Sequence, residues 1–266
     1  MSDLMSKPIT IWLTGATSGI GYALAEGLLK RGHHLIATGR REQPLQELSK
    51  LAPGRCTAAI GDTTVNEDLA TIRTVLEQHQ PVQMAILNAG TCEYLDVANY
   101  SSEVIEKNIV TNVIGTSKSV EAVLPSLRAA RNKGLPARLV IVSSSAWWFP
   151  FGRAEGYGAS KAALTYFAHS LRADLAAEGI EVTVVSPGFV KTPLTDQNDF
   201  DMPFLITADD ATNRILKGLE KGQHEIHFPK RFTWTLKMLG ALPQGLIDRM
   251  AAAMTRKNSE KQEDSK

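Results

Sequence analysis

The segment "YGASK", residues 157–161, sets a phenol and an ammonium four positions apart with only small residues between them. On a helix, Tyr157 and Lys161 would share one face about a turn apart, close enough for the ammonium to act on the phenol. A free phenol has a pKa of ~10 and exchanges protons poorly near neutrality, so a neighbouring cation that favours the phenolate would make it a usable acid–base group. The same pair also occurs as decoration on solvated helices. The choice between these readings falls to the rest of the chain.

A second set of residues points to phosphate. In "WLTGATSGIG", Gly15, Gly19 and Gly21 follow one apolar run and open the next helical one, with Thr17, Ser18 and Ile20 between them. Glycines at such a strand-to-helix junction allow a tight turn and a close backbone approach to a pyrophosphate, and the helix start offers free N–H groups and a positive dipole. At the end of the following strand stands "ATGRRE". An NAD site usually carries a carboxylate there for the ribose hydroxyls; here Gly39 removes it, and Arg40 and Arg41 supply guanidinium donors suited to a 2′-phosphate. NADP(H) is therefore expected in preference to NAD(H), the alternative being that the arginines are solvated surface charges.

The elements that must hold these groups read as alternating strands and helices. "ITIWL", "HLIAT", "TAAI", "MAILN", "RLVIVSSS", "EVTVVS" and "EIHF" are short apolar runs separated by helix-length segments, the first helix lying near Tyr22–Lys30. Such a pattern predicts an α/β fold with one doubly wound parallel sheet of about seven strands. No linker interrupts it, so residues 1–230 are expected to form one domain. Residues 231–254 are expected to add two C-terminal helices to that domain, and 255–266, lacking apolar side chains, to be a disordered tail.

Composition excludes several classes. With 29 basic and 28 acidic residues the chain offers no electrostatic reason to bind nucleic acid. Cys56 and Cys92 stand alone, without the spacing of a disulfide framework or zinc site, and read as reduced thiols of a cytoplasmic protein. His224 and His227 are too few to argue for a metal. The apolar stretch Ile9–Leu13 is too short for a signal or membrane segment.

With the glycine loop and YGASK together, the sequence resembles the classical short-chain dehydrogenase/reductase family over roughly its first 230 residues. Besides those two motifs it carries Gly61–Asp62, "NAG" at Asn88–Gly90, Asn112 in "IVTNVIG", "VSSSA" closing the fifth strand, and "PGFVKT" at 187–192. The resemblance implies a single-domain Rossmann fold and a catalytic set of Asn112, Ser144, Tyr157 and Lys161. Ser144 is chosen among three serines because the family's serine usually stands thirteen residues before the tyrosine. Tyr157 would be general acid in reduction and general base in oxidation, its pKa drawn down by Lys161 and the oxidised nicotinamide. Ser144 would donate to the substrate oxygen, and Asn112 would kink its helix and hold a water beside the lysine. Asp62 resembles the adenine-pocket aspartate, with a turn cap as the competing role. Asn88, Ala89 and Gly90 resemble the loop beside the cofactor ribose, and Pro187, Gly188, Val190 and Thr192 the segment passing the nicotinamide. Three residues between Tyr and Lys set the chain apart from the superfamily's enoyl reductases, which have six.

The implied activity is NADP(H)-dependent hydride transfer to or from a carbonyl or secondary alcohol; the alternative is a non-catalytic dinucleotide sensor, which would ordinarily have lost the Tyr or Lys. Ser145, Trp147, Phe149 and Phe151 fall where the family borders its substrate, and aromatic walls suit an apolar ketone or aldehyde. These aromatics fit equally well packed against the C-terminal helices or a second subunit. The family's pairing through long helices implies a homodimer or homotetramer. The amphipathic, basic-flanked C-terminal stretch is expected to dock on its own domain or a partner subunit, ahead of a membrane surface.

Overall fold

The computed structural model describes Met5 and residues 7–263. Every apolar run forms a strand: β1 (Thr10–Thr14), β2 (His34–Gly39), β3 (Cys56–Ile60), β4 (Met84–Leu87), β5 (Ala137–Val142), β6 (Ile180–Pro187) and β7 (Glu225–Phe228). Between them run α1 (Gly19–Lys30), α2 (Glu42–Leu51), α3 (Asn66–Gln78), α4 (Ser102–Ile109), α5 (Gly115–Asn132), α6 (Glu155–Leu175) and α7 (Ala208–Glu220); α8 (Lys230–Gly240) and α9 (Gln244–Glu263) follow. The strands form one sheet in the order β3-β2-β1-β4-β5-β6-β7, and all its pairs are parallel.

Side chains along a strand alternate between faces, so each central strand feeds two cores. Ile11, Leu13, Met84, Ile86, Val140 and Val142 meet Leu24 and Leu28 of α1, Leu45 of α2 and Leu216 of α7 on one face. Trp12, Ala85, Leu87, Leu139 and Ile141 meet Ile72 of α3, Val123 of α5 and Leu164 of α6 on the other. Trp12 is fully buried, and its indole N–H donates to Thr38 Oγ1 at 2.9 Å, so the core gains a large ring without an unpaired donor. The strand order reverses between β1 and β4, and a doubly wound sheet opens its binding crevice at the carboxyl ends of those strands. The glycine loop leaves β1 there, and Asn88 leaves β4 there.

The C-terminal helices dock on this same body. Phe232 and Leu236 of α8 and Ile247 of α9 bury against Phe149, with Trp148, Phe151 and Phe189 packed at the edge of the cluster. Each fully buried aromatic of this kind contributes about 1.5–3 kcal/mol by leaving water. The α9 backbone continues helically through Glu263, since the docked first turns have met the nucleation cost and Arg, Lys, Glu and Gln extend a helix well. Residues 264–266 of the expected tail lie outside the described residues.

Candidate active site

The glycine loop is built from close approaches that only glycine permits. Gly15 and Gly19 hold left-handed backbone angles, φ +68 and +54, and a Cβ on Gly21 would sit 2.1 Å from the Gly15 carbonyl oxygen. The Asn88 side chain donates to the carbonyls of Thr14 and Gly15, both at 3.3 Å, and the backbone N–H groups of Asn88 and Ala89 donate to Thr14 Oγ1. Asn88 thus pins the β4 loop to the glycine loop across the switch point. Ser18 starts α1 without spending its side chain on a cap, leaving hydroxyl and helix N-terminus available to an anion.

Together with Thr17, Ile20, Gly39, Arg40, Asp62, Gly90, Thr111 and Thr192, these residues line one continuous groove. Arg40 is 80% exposed, with its guanidinium 3.6 Å from Asp62. The other Asp62 oxygen accepts from the N–H and hydroxyl of Thr64 at 2.8 and 2.7 Å, so this carboxylate caps its turn while facing the groove. Arg41 donates to the Thr17 carbonyl at 2.5 Å and braces the glycine loop. At the far end, Thr192 lies against Gly19, its methyl 3.0 Å from where a Cβ would stand. Gly188 donates to the Phe228 carbonyl at 2.7 Å, and Val190 bridges to Ile206, which carries the chain after Pro187 across the groove. A glycine-built cradle, a free helix N-terminus and an exposed guanidinium at the β2 end fit a dinucleotide.

Asn112, Ser144, Tyr157 and Lys161 converge where this groove ends. The chain between α4 and α5 widens into a π-helical turn, Val110–Ile114, the kink expected at Asn112. The buried Asn112 side chain accepts from the Thr91 N–H at 2.8 Å and donates to the Thr91 carbonyl at 3.0 Å and to Ser160 Oγ at 2.8 Å. It therefore locks the NAG loop to the helix carrying Tyr157. Gly90 lies under both partners: a Cβ there would stand 2.9 Å from Asn112 Oδ1 and 3.4 Å from Lys161 Nζ. Lys161 donates to the Val142 carbonyl at 3.2 Å, and its Nζ is 5.6 Å from the Tyr157 ring centroid.

The serines divide their work. Ser143 donates to the Lys161 carbonyl and bonds Thr165, which spends it on holding β5 to α6. Ser144 accepts from the Ala146 N–H at 3.1 Å and is the hydrogen-bonding partner of Tyr157. Ser145 is buried beside it.

Without the cofactor, burial dominates the electrostatics of the pair. In the cofactor-free chain burial pushes the Tyr157 phenol well above its ordinary value, with Cys92 adding to the rise and Ser144 opposing it. Burial also lowers Lys161 to about 8, against a smaller opposite effect of Cys92. Desolvation disfavours the charged form of both groups, and here it outweighs the attraction expected between them.

The aromatics after Ser144 fall in two directions. Phe149 is buried under α8 and α9, with Phe151 edge-on at 5.3 Å. Both pack as supports of the C-terminal helices. Trp147 lies with Ala162, Ala163 and Tyr166, against the side of α6 turned from Tyr157 and Lys161. Sequence reading missed two residues that stand near Tyr157, Cys92 and Tyr94. Cys92, which burial pushes up to about 11, bonds Tyr94 and lies within range of Lys161. Tyr94 donates to Asn198 Oδ1 at 2.9 Å and stands edge-on to Phe200 at 5.7 Å. Arg153 lies 5.7 Å over the Tyr94 ring and pairs with Asp199 at 2.7 Å. The one available signal was their position two and four residues beyond NAG.

The sequence model described as short chain dehydrogenase matches residues 9–202. The chain belongs to the short-chain dehydrogenase family. It is 35% identical over 246 residues to an uncharacterised oxidoreductase of Myxococcus xanthus, covering 91% of this chain and 96% of that one. A probable NADP-dependent dehydrogenase of Haemophilus influenzae is 34% identical over 184 residues, 68% of this chain and 71% of the relative. In fold it is similar to a short chain dehydrogenase from Burkholderia cenocepacia solved in complex with NADP: TM-score 0.78, 24% identity, 91% of this chain and 97% of the other. As a short-chain dehydrogenase the protein is an oxidoreductase with a Rossmann-type sheet, and among the described residues no helix is long and apolar enough to cross a membrane.

Proposed function

We propose that the protein reduces an apolar ketone or aldehyde, or oxidises the matching alcohol, with NADP(H), and that Tyr157 is its acid–base group. The observation that carries this reading is the meeting of Tyr157, Lys161, Ser144 and Asn112 at the end of the groove that begins at the glycine loop. When bound, NADPH supplies the hydride. Gly15, Ser18, Gly19 and Gly21 would cradle its pyrophosphate, Arg40 its 2′-phosphate, Asp62 its adenine side, and Asn88 to Gly90 with Pro187 to Thr192 its nicotinamide half. The NADP in the Burkholderia complex and the probable NADP-dependent dehydrogenase of Haemophilus support that choice over NAD(H).

Each side chain has a defined task. Ser144 donates to the substrate oxygen and stabilises the charge that gathers there. Tyr157 delivers a proton to that oxygen, its burial keeping the phenol protonated until it is used. Lys161, protonated at neutral pH with a pKa of about 8, sits behind the ring as the neighbouring proton source, and Asn112 fixes the loop and helix that frame them. Cys92, Tyr94 and Phe200 supply the apolar side of the substrate space. The C-terminal helices belong to the same unit, since Phe232 and Ile247 share a cluster with Phe149. The free thiols suit the cytoplasm, and the apolar groove of Trp147, Ala163 and the exposed Tyr166 suits pairing of two copies along α6. The test is NADPH oxidation by purified protein against aliphatic, aromatic and polycyclic ketones and aldehydes. Turnover rising with substrate apolarity supports the reading, and NADPH binding without turnover across the series opposes it.

A further inference from the structure

The amphipathic α8 buries one apolar face and leaves a second one open. Phe232 and Leu236 point into the Phe149 cluster, yet Trp234 is 56% exposed, Met238 70%, Leu242 37% and Leu246 46%. Trp234 and Met238 stand four apart on the outer side of α8, Leu242 follows in the turn after it and Leu246 in the first turn of α9, so exposed apolar side chains follow one another as a stripe from α8 into α9. Phe204 and Leu205 are exposed as well, the Phe204 ring lying 6.2 Å from that of Phe232 on the inner side of α8. A contiguous apolar surface of this kind marks an interaction site.

Its chemistry selects the partner. Between Lys230 and Met254 the chain has four basic residues, Lys230, Arg231, Lys237 and Arg249, and one acidic residue, Asp248. Lys230 and Arg231 stand four and three residues before Trp234, at the head of the stripe, and both are exposed. Lys237 is drawn aside to Glu225 at 2.7 Å and lies over the Trp148 and Trp234 rings. Apolar side chains led by a tryptophan and flanked by cations are the composition of a helix that lies in a lipid headgroup region. Self-pairing of this face would set like charges against each other. We propose that the outer face of α8 and the start of α9 seat the protein on an anionic lipid surface, reversibly and without spanning it. This inference does not depend on the reaction proposed above.

The test is flotation of the full chain with vesicles of phosphatidylcholine alone and of phosphatidylcholine mixed with phosphatidylglycerol. The expected result is recovery with the mixed vesicles only, reversed by salt. Lys230→Gln and Arg231→Gln should each lower partitioning about fivefold, and Trp234→Ser combined with Met238→Ser should abolish it, while Met238→Ser alone, at a side chain 70% exposed, should lower it with thermal melting unchanged. As a measurement independent of variant folding, brominated phosphatidylglycerol should quench the emission of the parent protein and much less that of Trp234→Phe. Failure to float with mixed vesicles overturns the proposal, as does recovery that ignores lipid charge. So does a Trp234→Ser/Met238→Ser variant that turns a dimer into a monomer while vesicle recovery stays the same, which assigns the stripe to a second copy.

Discussion

Replacing Arg40 with alanine should separate the two nicotinamide cofactors. The Arg40 side chain is 80% exposed, and its contact with Asp62 at 3.6 Å is longer than a direct hydrogen bond. Engaging a 2′-phosphate would therefore sacrifice little. Hydrogen bonds to charged groups contribute about 1.5–3 kcal/mol, and 1.4 kcal/mol is tenfold, so removing the guanidinium should weaken NADPH by about 10- to 100-fold. The change also leaves the Asp62 carboxylate without its neighbouring cation, which adds repulsion toward the phosphate. Arg41 is no ready substitute, because it is already bonded to the Thr17 carbonyl. NADH lacks the phosphate, and its affinity should stay within about twofold of the parent's, a change below 0.5 kcal/mol. Titration of reduced-nicotinamide fluorescence with each cofactor reads both values. Equal losses for NADPH and NADH, or none for NADPH, would refute the reasoning.

Other predictions follow from the same site. Asn112→Ala strands the Thr91 N–H, the Thr91 carbonyl and Ser160 Oγ; it should cost about 2–4 kcal/mol in urea unfolding of the cofactor-free protein, and a loss under 0.5 kcal/mol would deny the lock. Lys161 has a folded pKa of about 8, below the ordinary 10.5, so between those values the unfolded chain binds more protons than the folded one. Its contribution to stability therefore rises with pH across that window, by at most about 1.4 kcal/mol per unit, and Lys161→Met should remove the rise. Unfolding curves of parent and variant between pH 8 and ~10 that stay parallel would contradict the lowered pKa.

Much of this architecture was legible because strong local rules fixed it. The strands are continuous apolar runs, as a sheet covered on both faces requires. Gly15, Gly19 and Gly21 stand where a Cβ or an ordinary φ is forbidden, so the chain could carry little else. Tyr157 and Lys161 needed only the helical repeat. What sequence left open depends on contacts between distant segments. Trp147 and Phe149 are two residues apart, yet one turns to the outside of α6 and the other under α8. Tyr94 finds Asn198 more than a hundred residues later, in a loop without periodicity. Charge pairs such as Tyr157 and Lys161 can be read from spacing, whereas the burial that sets their balance in the cofactor-free chain comes from the whole fold.

The most direct test is Tyr157→Phe, comparing NADPH affinity and turnover with the best carbonyl substrate. The account predicts cofactor affinity within about twofold of the parent and a kcat lowered by about 10²- to 10⁴-fold, the usual contribution of a positioned acid–base group. A variant that turns over as fast as the parent would contradict the assignment of Tyr157 as the proton donor.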